Sequence, residues 1–223
     1  MKEPRSTGAI RERAGPPQQA RSRETLDRLM AAAEAVLGAE GLEGTTVPGI
    51  AAAAGLSVGA VYRRFTDKDA LLRAVYESFF VRAAQLNRAS LLSLGWSGAG
   101  LEETVKQTVG TMVWNAWERR MLLRALLTYA VSHPDPVFRR EARTVAAASL
   151  AGAEAILLRH RDEIPHRDAE AAVRFALFAV DATLRAAVLA DSAELPSSAS
   201  DAESLTTELG SLCLCYLGVY TDE

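Results

Sequence analysis

Apolar residues recur in this chain at intervals of three and four almost from end to end. Between Ser22 and Leu37 the positions Leu26, Leu29, Met30, Ala33, Val36 and Leu37 fall on one stripe, the mark of an amphipathic helix. Gly38, Gly41 and Gly44 cluster where that helix should stop. Thr45 and Thr46 then offer a cap to a short second helix, with Pro48 in the first turn, where a missing N–H costs little. Gly55 ends it. Ser57 caps a third helix, predicted to run to about Phe65. Thr66 with Asp69 three residues on has the form of a capping box. It would open a fourth helix whose apolar face is Leu71, Leu72, Val75, Tyr76 and Phe79. Further helices are predicted over 101–118, 119–132, 136–160, 168–191 and 200–220. No segment sustains a period of two with β-branched enrichment, so no sheet is expected and the fold class is all-α.

Two short helices joined by a glycine turn, residues 46–65, make a helix-turn-helix candidate. Val47, Ile50 and Ala51 of the first helix, with Leu56, Val61 and Phe65 behind the second, should face inward. That leaves Ser57, Val58, Ala60, Tyr62, Arg63 and Arg64 facing out. Such a set suits a nucleic-acid duplex. Arginine presents a planar donor fork to phosphate or guanine, hydroxyls reach phosphate oxygens, and Val58 and Ala60 can touch a thymine methyl. Gly59 costs about 1 kcal/mol against alanine in a helix, which a need for close approach would offset. Lys68 opens the fourth helix, where free N–H groups already favour an anion. Thr46, at the head of the first helix, completes the expected DNA-binding set.

The stretch "AEGLEGTTVPGIAAAAGLSVGAVYRRFTDKDALLRAV", residues 39–75, resembles the TetR family of transcriptional regulators. Gly41, Thr46, Ile50, Ala51, Ala54, Gly55, Ser57, Gly59, Tyr62, Phe65, Lys68 and Leu71 fall on the family pattern without a gap. Two positions depart from it: Gly49, where the family often has a polar residue, and Arg64, where histidine is frequent. The resemblance implies a three-helix helix-turn-helix domain at 22–75 and a larger helical effector-binding and dimerisation domain at 76–223. It further implies a homodimer that presents two recognition helices to successive major grooves of a near-palindromic operator, about 34 Å apart. A repressor released by a small-molecule effector is the family's usual form. The alternative is an all-helical carrier or enzyme with a vestigial helix-turn-helix.

Charge sharpens this picture a little. The net charge of −3 over 223 residues hides an asymmetry. Residues 1–75 carry 11 lysines and arginines against 9 acids, and residues 1–23 carry 6 against 2. Residues 1–21 lack apolar periodicity and are expected to form a flexible basic arm. With 49% apolar residues, no apolar run long enough for a membrane span and no secretory leader, a cytoplasmic protein is expected.

In the second domain the resemblance places a four-helix dimer bundle on the last two helices. Phe175, Ala179, Thr183 and Ala186 on one, with Leu205, Leu209, Leu212, Cys213 and Tyr216 on the other, are the expected interface. Intrachain packing would account for the same stripes. Met112, Trp114, Trp117 and Met121, joined by Phe138, Phe175 and Phe178, are the candidates for an apolar effector pocket, though at helical spacing such residues are more often plain core. No catalytic or cofactor motif is found. His133, His160 and His166 are scattered, and Cys213 and Cys215 lie about 200° apart around one helix, so no metal site is expected.

Overall fold

The computed structural model describes residues 18–93, 100–190 and 195–219. Ten α-helices are formed among them: α1 (Gln18–Gly44), α2 (Val47–Ala53), α3 (Val58–Tyr62), α4 (Lys68–Ser93), α5 (Leu101–Glu118), α6 (Arg120–Ser132), α7 (Pro136–Ala148), α8 (Ala151–Leu157), α9 (Ala169–Leu189) and α10 (Ala202–Leu217). Two 3₁₀ turns, Leu158–Glu163 and Ser197–Ala199, precede α9 and α10. No strand occurs among the described residues, and none of their helices is long and apolar enough to cross a membrane.

Local chemistry sets most boundaries. Asp135, Asp168 and Asp201 each turn a carboxylate back onto a backbone N–H of the helix they open, at α7, α9 and α10. Gly218 ends α10 with a φ of 83°, a left-handed conformation that a side chain disfavours. The ring of Pro165 lies only 2.6 Å from where a Cβ on Gly218 would stand.

Four expectations need correction. The arm was expected to reach residue 21, but Gln18 to Arg21 already belong to α1; residues 1–17 lie outside the described residues. Phe65 was expected to end the third helix, yet α3 closes at Tyr62, because Arg64 donates its N–H to the Val61 carbonyl, three residues back. Asp67, not Thr66, caps α4: its carboxylate accepts from the Ala70 N–H at 2.7 Å, and Asp69 is engaged elsewhere. The single helix expected over 136–160 is broken. Ser149 and Leu150 bond back three residues, to Ala146 and Ala147, and this tightened turn separates α7 from α8. There Gly152 lies flush against Arg88 of α4, whose Cβ would sit 3.5 Å from an added methyl.

The cores do not divide at residue 75. One apolar cluster joins Leu29, Leu37, Ile50, Val61, Leu71 and Val75 of the first four helices to Leu126, Tyr129 and Phe138 of α6 and α7. A second cluster holds α5, α8, α9 and α10 together through Val105, Val109, Leu157, Val173, Leu177, Leu205 and Cys213. Ala116 of α5 packs against both. α3 therefore sits on a body that includes α6 and α7.

Candidate nucleic-acid interface

The helix-turn-helix is built by short-range bonds. The Thr46 hydroxyl accepts from the Gly49 N–H at 3.1 Å and so caps α2. Gly55, at φ 64°, makes the left-handed turn between α2 and α3, and Leu56 donates its N–H back to the Ala51 carbonyl. The Ser57 hydroxyl accepts from the Ala60 N–H at 3.2 Å and caps α3. Ile50, Ala51 and Val61 are buried behind this turn.

The opposite face is open. Tyr62 is 50% exposed, and Ser57, Val58, Gly59 and Arg63 lie on the same outward surface, with Ala60 half-buried. A Cβ built on Gly59 would meet nothing within 4 Å. Nothing inside the protein therefore requires glycine there, and a helical glycine costs about 1 kcal/mol. A body approaching from outside would use the space.

The three cations are held differently. Arg63 is exposed and makes no ion pair among the described residues. Arg64 reaches back to α1: its guanidinium donates to the Ser22 carbonyl at 3.2 Å and to the Ser22 hydroxyl at 3.3 Å. It docks the start of α1 beside α3, a role that no spacing along the sequence signals, since the partners lie 42 residues apart. Lys68, half-buried, donates to the Leu42 carbonyl at 3.5 Å, near the kink of α1 at Gly41.

Behind the interface a polar network fastens the first turn of α4 to the corner between α6 and α7. Asp69 accepts from the Tyr129 hydroxyl at 2.6 Å, from the His133 Nε2 at 2.9 Å and from the Arg73 Nε at 2.7 Å. His133 is buried, and its Nδ1 accepts from the Asp135 N–H, so Nε2 carries the proton that goes to Asp69. Arg73 also donates to Asp135 and stacks over Phe138, 4.6 Å from the ring centroid. Partial burial pushes the Asp69 carboxyl upward, but the bonds from Tyr129, Arg73 and His133 outweigh it and hold the pKa down at about 2. Tyr76, one turn beyond Arg73, donates its hydroxyl to the Ala142 carbonyl, and burial pushes it up to about 12.

The seven residues named for an effector pocket do not meet in one cavity. Phe138 is core beneath the helix-turn-helix, between Arg73, Tyr129 and His133. Trp114 and Met121 are exposed, and Trp117 lies half-buried under the Arg120 guanidinium. Phe175 and Phe178 project outward from α9. Of the seven, Met112 lines a cavity between α4, α5, α6 and α9, and Trp114 borders a separate, more open cleft between α5 and α10. The other walls of the Met112 cavity include Phe79, Phe80, Ala116, Leu123 and Leu184. These were missed because each reads along its own helix as an ordinary apolar position.

The expected interface residues split in two. Leu205, Leu209 and Cys213 are buried inside the subunit against α5 and α9, which corrects their assignment to a partner-facing surface; burial also pushes the Cys213 thiol up to about 11. Phe175, Leu212 and Tyr216 remain exposed, with Phe175 and Tyr216 ring centroids 5.1 Å apart across α9 and α10. Thr183 and Ala186 are exposed and Ala179 half-buried on the same helix.

Residues 29–75 match the family profile of bacterial regulatory proteins, tetR family. No curated protein matches the sequence. Among solved structures the chain is similar to a TetR-family transcriptional regulator from Mesorhizobium loti MAFF303099, with 21% identity and a TM-score of 0.71 over 91% of this chain and 99% of that one. A TetR transcription regulator from Haloarcula marismortui gives 20% and 0.67 over 90% and 100%. The regulator FadR from Bacillus subtilis in complex with stearoyl-CoA gives 15% and 0.64 over 88% and 100%. Residues 29–75 are thus a tetR-family helix-turn-helix, and the chain around them has the fold of TetR-family transcriptional regulators.

Proposed function

We propose that the protein is a ligand-responsive transcriptional regulator, acting as a repressor that binds a near-palindromic operator as a homodimer in the cytoplasm. The observation that carries this reading is the recognition face. Tyr62 and Arg63 stand out from a helix whose Val61 is buried, beside a glycine that nothing internal requires. Thr46, Ser57, Val58, Ala60 and Lys68 extend that face, while Arg64 braces it from α1. Dimerisation is supported by the aromatic surface of Phe175, Phe178, Leu212 and Tyr216, apolar side chains whose exposure on a single subunit is costly.

Effector response is supported by where the cavity lies. Phe79, Phe80 and Leu123 belong to the core that carries the recognition helix, and Met112 and Leu184 to the core that carries the α9–α10 surface. A small, mainly apolar molecule seated there would shift one body against the other and change the spacing of the two recognition helices. Operator and effector would then weaken each other's binding reciprocally.

The test begins with a duplex selected by the wild-type protein from a random-sequence library. Its affinity is titrated against Tyr62→Ala and Arg63→Ala proteins over a range of salt. Both variants should bind at least tenfold more weakly, and Arg63→Ala should show a shallower log–log salt slope, by about 0.9 for each phosphate left without its cation. Selection of no duplex, or undiminished binding by both variants, would refute the reading.

A further inference from the structure

We infer that the cavity between α4, α5, α6 and α9 takes a compact, uncharged molecule about the size of one aromatic ring bearing a single hydrogen-bond donor. The inference rests on the reading of this cavity as the effector site and adds the ligand's class. Size is the first argument. The free space is about 120 Å³. An apolar cavity of roughly 150 Å³ is known to hold benzene, so one ring fits, with a small substituent reaching the mouth. A long acyl chain needs several times this space.

Charge is the second argument. Four ionisable side chains border the cavity: Glu118, Arg119, Asp181 and Arg185. Their charges sum to nothing. Asp181 and Arg185 neutralise each other directly, with Arg185 Nε donating to the Asp181 carboxylate at 2.6 Å. The Arg185 guanidinium also lies over the Phe80 ring, 5.9 Å from its centroid. Glu118 and Arg119 make no ion pair among the described residues but are exposed, where water screens them, so an anion or cation entering here would lose its own water for little counter-charge in return.

The walls supply the third argument. Phe79 and Phe80 meet edge to face, with centroids 5.2 Å apart, and Met112, Leu123 and Leu184 complete an apolar lining. Aromatic and thioether surfaces of this kind favour a flat ring. Donors and acceptors both border the cavity: Arg119 and Arg185 donate, Asn115 can do either, and Ser149, Glu118 and Asp181 can accept. The Ser149 hydroxyl already spends its proton on the Ala146 carbonyl at 2.6 Å and retains acceptor capacity. Asp181 adds a carboxylate. A ligand O–H or N–H would satisfy one of them.

The probes are phenol and indole as neutral ring donors, toluene as the ring without a donor, benzoate and benzylamine as charged rings, and dodecanoate as a chain. Each is titrated against the full-length protein while its melting temperature is followed, and against Ala116→Phe, which fills the cavity from α5. Ala83→Leu fills it from α4 and serves should the first variant fail to fold by circular dichroism. Phenol or indole should raise Tm by several degrees, toluene less, and the charged rings should need at least tenfold higher concentration. The filled variant should abolish the shift. An equal shift from dodecanoate or benzoate, an undiminished shift in the filled variant, or no shift from either neutral ring overturns the inference. Should the ring probes bind as described yet leave operator affinity unchanged, the ligand class stands and the effector reading fails.

Discussion

Removing one hydroxyl, by Tyr129→Phe, isolates the network that fastens α4. The phenylalanine ring keeps the packing of Tyr129 against Phe138 and His133, at centroid distances of 5.4 and 5.2 Å. What disappears is a 2.6 Å bond to an ionised carboxylate. Such bonds contribute about 1.5–3 kcal/mol. Asp69 keeps two other donors, and its side chain is 45% exposed, so water replaces part of the loss and the expected cost is about 1 kcal/mol. That corresponds to roughly 2–4 °C in Tm for a chain of this size. The pH dependence gives a sharper check. A carboxyl whose folded pKa lies near 2, below its ordinary 3.8, contributes stability above pH 3.8 that is lost as pH falls through 2. The full shift would be worth about 2.4 kcal/mol; screening at this exposed site reduces it to about 1 kcal/mol. Without the tyrosine hydroxyl the folded pKa rises and less stability is left to lose in acid. Urea midpoints of both proteins at fixed protein concentration should therefore differ clearly at pH 7, with the gap narrowed at pH 2.5 and nearly closed at pH 1.5, below the folded pKa. Equal midpoints at pH 7, or a gap undiminished at pH 1.5, would refute the account.

Three further outcomes are expected. Gly218→Ala must adopt a left-handed φ of 83° and displace the Pro165 ring, and should cost at least about 2 kcal/mol in urea unfolding. Ser57→Ala removes the cap of a five-residue helix and should cost about 1 kcal/mol, with a several-fold loss of affinity for the selected duplex in a mobility-shift titration. Phe178→Lys with Leu212→Glu places charges on the exposed α9–α10 surface and should shift the particle from dimer to monomer in sedimentation equilibrium, with helicity retained.

The helix-turn-helix was legible because its determinants are local. Thr46 and Ser57 cap helices whose N–H groups lie three residues away, Gly55 makes a turn only glycine favours, and a period of 3.6 sorts Val61 from Tyr62. The cavity was not legible. Its walls come from four helices and the turn between α7 and α8, spread between Phe79 and Arg185, and nothing in one helix's period says which neighbour it faces. Periodicity also cannot separate a helix face buried in the core from an apolar face left exposed. Leu209 and Leu212 were assigned alike, yet one is 3% exposed and the other 49%. Asp69 illustrates a third limit. It stands where a capping acid would, but hydroxyl, imidazole and guanidinium groups brought in by the fold compete for it more effectively than a backbone amide does.

Sharing one apolar cluster between α1–α4 and α6–α7 has a consequence for engineering this molecule. Cutting after residue 75 would bare the apolar faces of α1 and α4 that pack against α6 and α7 in one cluster with Leu126, Tyr129 and Phe138. A chimera that grafts this helix-turn-helix onto a foreign domain would therefore inherit a sticky, half-built head unless the two later helices travel with it. The transplantable unit is discontinuous in the chain, with α5 left behind in the host.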